Sequence, residues 1–151
     1  MKEIILLITG ALVALTAAGQ NKKILFVCEH GSAKSMIAKA YFNKFAKEKN
    51  LPWEAISRGT NPDQEISPKT KELLVGDHLL DSSLKPQKLS QTDVNGAEQV
   101  IMFYTLPADI HVSNNTQYWL GINAVNGDYQ KLRDDILSKV VGPLIDSLTK
   151  K

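Results

Sequence analysis

The sequence predicts an α/β fold, a four-stranded parallel sheet with helices on both faces. Three observations carry the prediction. Apolar runs without alternation stand at 22–28 and 97–105, as strands buried on both faces require. Amphipathic helical patterns with apolar residues every three to four positions lie between and after them. Turn-rich segments separate the two kinds, so strand and helix alternate, the arrangement of βαβ crossovers.

The chain has 151 residues, enough for one domain with a core. Its 18 basic and 16 acidic side chains nearly balance, which gives no electrostatic footprint for nucleic acid. The first nineteen residues, "MKEIILLITGALVALTAAG", combine a weakly positive start, an apolar stretch from Ile4 to Ala14 and the small residues Ala17, Ala18 and Gly19. They read as a cleaved export signal, too short before "QNKK" for a membrane span. The expectation is therefore a single mature domain over 20–151, periplasmic or secreted and off the membrane once the signal is cut.

"KKILFVC" at 22–28 is the first strand, and it ends on Cys28, the only cysteine. A lone cysteine cannot staple an exported chain internally. It is a buried small hydrophobe, a site of intermolecular pairing or a working thiol. From Ala33, the residues Ile37, Tyr41 and Phe45 recur at helical spacing, with Asn50 and Pro52 as stop signals. "WEAIS" at 53–57 is the second strand, closed by "RGTNPDQ". Ser67 as N-cap with Pro68 behind it opens a helix expected to reach Leu80. A polar stretch from 81 to 96 reads as loop with one short turn. The third strand covers 97–105 and a fourth covers "YWLGI" at 118–122. The last helix runs from Asp128 to Leu148, with a kink expected at Gly142-Pro143.

In such folds ligands bind at the carboxyl ends of the strands, where Cys28 sits. A loop running from a strand into a helix N-terminus can turn several N–H groups toward one point and make an anion site; the same field favours an anionic sulfur. Gly31, Ser32 and Ala33 suit a tightly curled loop. Lys34 is the oddity, because a cation in a first helical turn opposes the macrodipole unless an anion is shared between them. Ser35 can hydrogen-bond the sulfur. A nucleotide-binding Walker loop does not fit "GSAKS", since glycines would be needed where Cys28 and Ala33 stand.

"ILFVCEHGSAKS" before a helix, with "ISRGT" closing the second strand, resembles the low-molecular-weight protein tyrosine phosphatases and the related arsenate reductases. The family's loop reads Cys, five residues, Arg, Ser, and its second strand ends Ser-x-Gly-Thr. The likeness is closest to a bacterial subgroup whose loop reads "VCEHGxAKS". It implies a four-stranded parallel sheet, no metal or other cofactor, and phosphomonoester hydrolysis through a cysteinyl-phosphate. Cys28 matches the nucleophile, Ser35 the serine after the arginine, and Glu29, His30, Gly31, Ser32, Ala33 and Lys34 the phosphate cradle.

Two departures bear on the chemistry. Lys34 replaces the arginine, a point charge in place of a two-pronged fork. The family's Asp-Pro general acid should fall within "WLGINAVNGDY", where Asn123-Ala124 stands; Asp128 is the nearest acid, and His30 is a second candidate. Arg58 is a candidate second anion contact, whereas Arg133 at helical spacing is expected to pair with nearby carboxylates. The partner is then a phosphorylated small molecule or protein, or a phosphate or arsenate oxyanion. The alternatives are a non-catalytic module that binds an oxyanion or phosphorylated partner, and an arsenate reductase that borrows an external thiol.

Overall fold

The structure, a computed structural model, describes residues 19–82, 84–112 and 115–150. The expected signal over 1–19 therefore lies, but for Gly19, outside the described residues. Four strands, β1 (Lys22–Cys28), β2 (Trp53–Gly59), β3 (Gln99–Met102) and β4 (Thr116–Tyr118), form one sheet in the order β2-β1-β3-β4. Every pair is parallel. β1 is central because its run Ile24 to Val27 is fully buried and can serve both faces.

Alternation within β1 sends its side chains to two different cores. Ile24, Phe26 and Cys28 face the larger one, filled by Met36, Ile37 and Phe42 of α1 (Lys34–Glu48) and by Leu132, Ile136 and Ile145 from the C-terminal helices. Phe26 anchors it through edge contact with Phe42 and stacking with Phe103. Leu25 and Val27 face a thinner layer with Val100, Met102, Leu89 and Val94. On that side the cover is the five-residue α3 (Gln91–Asn95), packed with loop residues such as Leu106 and Ile110.

α1 ends as its sequence signals. Asn50 takes φ +52°, and Leu51 N–H and Asn50 N–H donate to the carbonyls of Ala46 and Lys47 at 2.8 and 3.2 Å. The same device shortens α2 (Pro68–Gly76), capped by Ser67 as expected but stopping before Leu80. His78 takes φ +57° and Leu79 N–H returns to Leu74; the positive-φ position holds a histidine, with the helix's one glycine, Gly76, two residues earlier. The short turn expected between 81 and 96 is α3, closed by a reciprocal Ser90–Asp93 capping box. β3 covers only four of the nine residues expected, and β4 begins two residues before "YWLGI".

The last helix is three pieces in one rod: α4 (Tyr129–Ile136), a π-turn over Leu137–Val141, and α5 (Gly142–Thr149). Pro143 has no N–H to give the preceding turn, and the π-turn stands directly before the Gly142-Pro143 pair where the sequence marks a break in regular helix. Among the described residues no helix is long and apolar enough to cross a membrane.

The chain leaves β1 for β2 on one side and reaches β3 on the other. The carboxyl ends of β1 and β3 therefore flank the point where strand order reverses, where such sheets open a crevice. Cys28 is the last residue of β1.

Candidate active site

The segment from Cys28 to Ser35 folds back on its own sulfur. Gly31 N–H donates to Cys28 Sγ at 3.2 Å, and Ser35 Oγ lies 3.1 Å from the same atom. Gly31 reaches this geometry at φ +63°, a conformation that side chains rarely adopt. Gly59, at the end of β2, presses against it: a Cβ there would stand 2.7 Å from Gly31 N and 2.8 Å from the His30 carbonyl carbon. The chain after β2 laces the loop in place. Thr60, Asn61 and Asp63 N–H donate to the carbonyls of Cys28, Glu29 and His30 at 3.0, 2.8 and 2.9 Å. Cys28 is buried, with 3% of its surface exposed, yet it opens on a cavity of about 290 Å³.

Glu29, His30, Ser32, Ala33, Lys34, Asp63, Ser67, Tyr104, Asn123 and Tyr129 complete the lining. Five of the six cradle residues read from the sequence thus meet in one pocket with Cys28, while Gly31 touches the sulfur from behind the surface. Lys34 opens α1, whose N-cap Ala33 supplies no side-chain cap and whose first turn holds no acid. Its Nζ donates to Asn123 Oδ1 at 2.8 Å. Partial burial draws the ammonium below its ordinary range, opposed by the Cys28 sulfur and the Glu29 carboxylate. A cation half withdrawn from water beside an uncapped helix start is completed by an anion.

At the mouth, Ser32 Oγ donates to Asp63 Oδ2 at 2.5 Å. His30 stands between two carboxylates, Nδ1 3.4 Å from Asp63 Oδ1 and Nε2 3.6 Å from Glu29 Oε2. Asp63, Ser67, Tyr104 and Tyr129 were not foreseen. Asp63 and Ser67 come from the loop between β2 and α2, Tyr104 from beyond the end of β3 and Tyr129 from the start of α4, and none carries a local motif beyond Ser67's cap.

Two expected site residues lie elsewhere. Arg58 points to the thinner side of the sheet, paired with Asp93 at 2.7 Å and donating to the Ser57 carbonyl, so it is not an anion contact of the thiol pocket. Asp128 caps α4, accepting from Lys131 N–H at 2.8 Å, and is not part of the pocket lining. Its capping duty occupies the carboxylate that a proton donor would need free. Arg133 pairs as expected, with Asp134 at 2.8 Å and Asp77 at 3.1 Å. Among the described residues no group of three or more His, Cys, Asp or Glu side chains is placed to hold a metal ion.

The sequence profile described as low molecular weight phosphotyrosine protein phosphatase matches residues 23–118. No curated protein is significantly similar in sequence. Among solved structures, a low molecular weight protein tyrosine phosphatase from T. tengcongensis superimposes with a TM-score of 0.71 at 22% identity, covering 85% of this chain and 100% of that one. A thioredoxin-dependent arsenate reductase from Corynebacterium glutamicum gives 0.70 at 22% identity over 87% of this chain, which spans only 63% of the reductase. An arsenate reductase in the phosphate binding state gives 0.69 at 17% identity, with 84% and 98% covered. At such identities the likeness carries the fold.

Proposed function

This chain belongs to the low-molecular-weight phosphotyrosine protein phosphatase family, and on that premise we propose that it hydrolyses phosphomonoesters of the phosphotyrosine type through Cys28. The observation that carries the reading is the sulfur itself, set between Gly31 N–H and Ser35 Oγ on the wall of a cavity that Lys34 also lines. In the first step the Cys28 sulfur attacks phosphorus, an S–P bond forms and the P–O bond to the leaving group breaks. In the second, water attacks phosphorus, the S–P bond breaks, inorganic phosphate departs and the sulfur keeps its electron pair. Lys34 and the amide dipoles at the start of α1 face the charge spread over the phosphoryl oxygens. Ser35 Oγ, 3.1 Å from the sulfur, donates to it as negative charge returns on leaving phosphorus. Asn123, where the family places an acid, has no proton to give the leaving oxygen.

The test is hydrolysis of an aryl phosphate by the purified full-length chain beside Cys28→Ser. The variant is expected to lose more than about a thousandfold in rate, as removal of a nucleophile does. Equal rates in both proteins would overturn the reading.

The Lys34–Asn123 contact favours a second reading, since a cation already held by a neutral amide suits retention of an oxyanion as well as turnover. No Cys28-dependent hydrolysis, with inorganic phosphate still binding, would select a non-catalytic oxyanion- or phospho-partner-binding module. Arsenate fits the same cradle by shape and charge. Reduction would then need an external thiol to attack the Cys28 sulfur, because Cys28 is the only cysteine of the chain. Export on residues 1–19 remains part of the proposal, and the intact mass of the protein from its native cell decides whether they are removed.

A further inference from the structure

We infer that His30 donates the proton to the leaving oxygen, held for that task between Glu29 and Asp63 at the mouth of the thiol pocket. The inference rests on the phosphomonoesterase reading above. A cavity with a nucleophile at its base and no acid at Asn123 needs a donor on its rim. Its remaining ionisable groups can be taken in turn. Lys34 already donates to Asn123 and must keep its charge opposite the phosphoryl oxygens. Asp63 already accepts the Ser32 hydroxyl at 2.5 Å and its own N–H ties it to the loop, so its carboxyl is engaged at the mouth. Tyr104 and Tyr129 are phenols, weaker acids than an imidazolium, and Tyr129 lies under the Lys69 ammonium. Glu29 faces His30.

His30 has what the others lack. Both ring nitrogens face carboxylates, Nδ1 toward Asp63 and Nε2 toward Glu29, so each ring N–H is turned to an acceptor oxygen. Neither contact is a close hydrogen bond, at 3.4 and 3.6 Å, so the Nε2 proton remains available to a third partner. The backbone is fixed, since the His30 carbonyl accepts Asp63 N–H at 2.9 Å and Asp63 is itself held by Ser32. With 53% of the side chain exposed, the ring can exchange protons with water between turnovers.

As the Cys28 sulfur bonds to phosphorus and the P–O bond breaks, the Nε2 proton passes to the departing oxygen, which leaves as a neutral alcohol or phenol. The neutral imidazole then takes a proton from the water that attacks the cysteinyl-phosphate, and the imidazolium is restored.

The leaving group supplies the test. For the full-length chain and His30→Gln, kcat/KM is measured on 2,4-dinitrophenyl, p-nitrophenyl and phenyl phosphate, since this ratio reports the first chemical step. The dinitrophenolate departs without a proton, so His30→Gln should lose far less on that ester than on phenyl phosphate, where the rate falls about a hundredfold or more. Imidazole added to His30→Ala should restore part of the phenyl phosphate rate and leave dinitrophenyl phosphate unchanged. Equal losses on all three esters, or no loss on any, would overturn the assignment while leaving Cys28 as nucleophile. If the wild-type chain shows no Cys28-dependent turnover even of dinitrophenyl phosphate, the phosphomonoesterase reading fails, and the role of His30 with it.

Discussion

The two segments that wall the thiol pocket are built on different principles. The loop from Cys28 to Ser35 is held by backbone: three amides of 60–63 donate into it, Gly59 packs flush against Gly31, and its own Gly31 N–H points at the sulfur. Past Trp119, whose N–H donates to the Met102 carbonyl at 2.7 Å, the arc to Tyr129 is tethered by side chains. Lys34 reaches Asn123, Lys69 Nζ reaches the Gly127 carbonyl at 3.0 Å, and Asn126 and Gly127 both take positive φ. Backbone lacing tolerates almost no change at the residues that touch, whereas side-chain tethers can be exchanged one at a time. Cys28 and Ser35 at the two ends of the laced loop match the family pattern, while the two departures, Lys34 and Asn123, are side chains that meet each other at 2.8 Å. Catalytic work lost from the arc can then move to the rim of the rigid loop, where His30 stands.

The contrast is most exposed at Gly59. Gly59→Ala puts a Cβ within 3 Å of three backbone atoms of the thiol loop, none of which can swing aside as a side chain could. It should destabilise the protein by about 3 kcal/mol or more, visible as a lowered urea midpoint with unchanged slope. Activity should fall further than the folded fraction does, because the atoms displaced are those that aim Gly31 N–H at the sulfur. A variant within about 0.5 kcal/mol of wild type would mean that the loop is not backbone-locked.

How much of this was written in the sequence follows the same division. Cys28, Gly31, Lys34 and Ser35 were legible because they are contiguous, and a strand feeding a helix leaves such a loop little choice of shape. The sheet followed from uninterrupted apolar runs. Asp63 and Tyr104 are not legible as site residues, because the parallel crossovers bring them to the pocket from beyond the ends of β2 and β3, and neither the turn-rich loop around Asp63 nor the apolar run that holds Tyr104 marks them. Arg58 was misplaced for a related reason. Its strand position was read correctly, but its partner Asp93 belongs to a helix too short to show periodicity, so nothing announced the ion pair. Asp128 reads from the sequence both as the start of a helix and as a candidate acid; the structure shows it capping α4 and leaves it out of the lining of the thiol pocket.

The arc is sharpened by restoring a carboxylate to it. In Asn123→Asp the new group would lie about where Oδ1 now accepts from Lys34 at 2.8 Å. Paired with that ammonium it stays ionised, so it cannot act as an acid and instead competes with the phosphoryl group for Lys34. Inhibition by inorganic phosphate should weaken about tenfold, the scale of one partly screened ion pair, with no gain on phenyl phosphate. A rise in phenyl phosphate turnover would instead show that the arc can still supply the proton, and the distinction between the two segments would collapse.

The smallest effect is expected where the arc runs on into α4. Arg133 and the Tyr41 hydroxyl both donate to Asp77, tying α4, α1 and the end of α2 together beyond the pocket. The bond from Tyr41, with Arg133 helping, holds the Asp77 carboxyl below the usual carboxylate range against the cost of its desolvation. A carboxyl depressed in the folded state adds stability at pH values above its unfolded range, and that stability is lost as pH falls through the folded value. Tyr41→Phe should therefore cost about 1 kcal/mol at neutral pH, modest because Asp77 is a third exposed and screened by solvent. The gap between variant and wild type should shrink in acid, where Asp77 is protonated in both. Phosphate inhibition should not change, because the tether fixes the helix and not the laced loop. If the gap persisted unchanged under acid, Tyr41 would be stabilising α1 by packing alone, and α4 would be held to the core by Leu132 and Ile136.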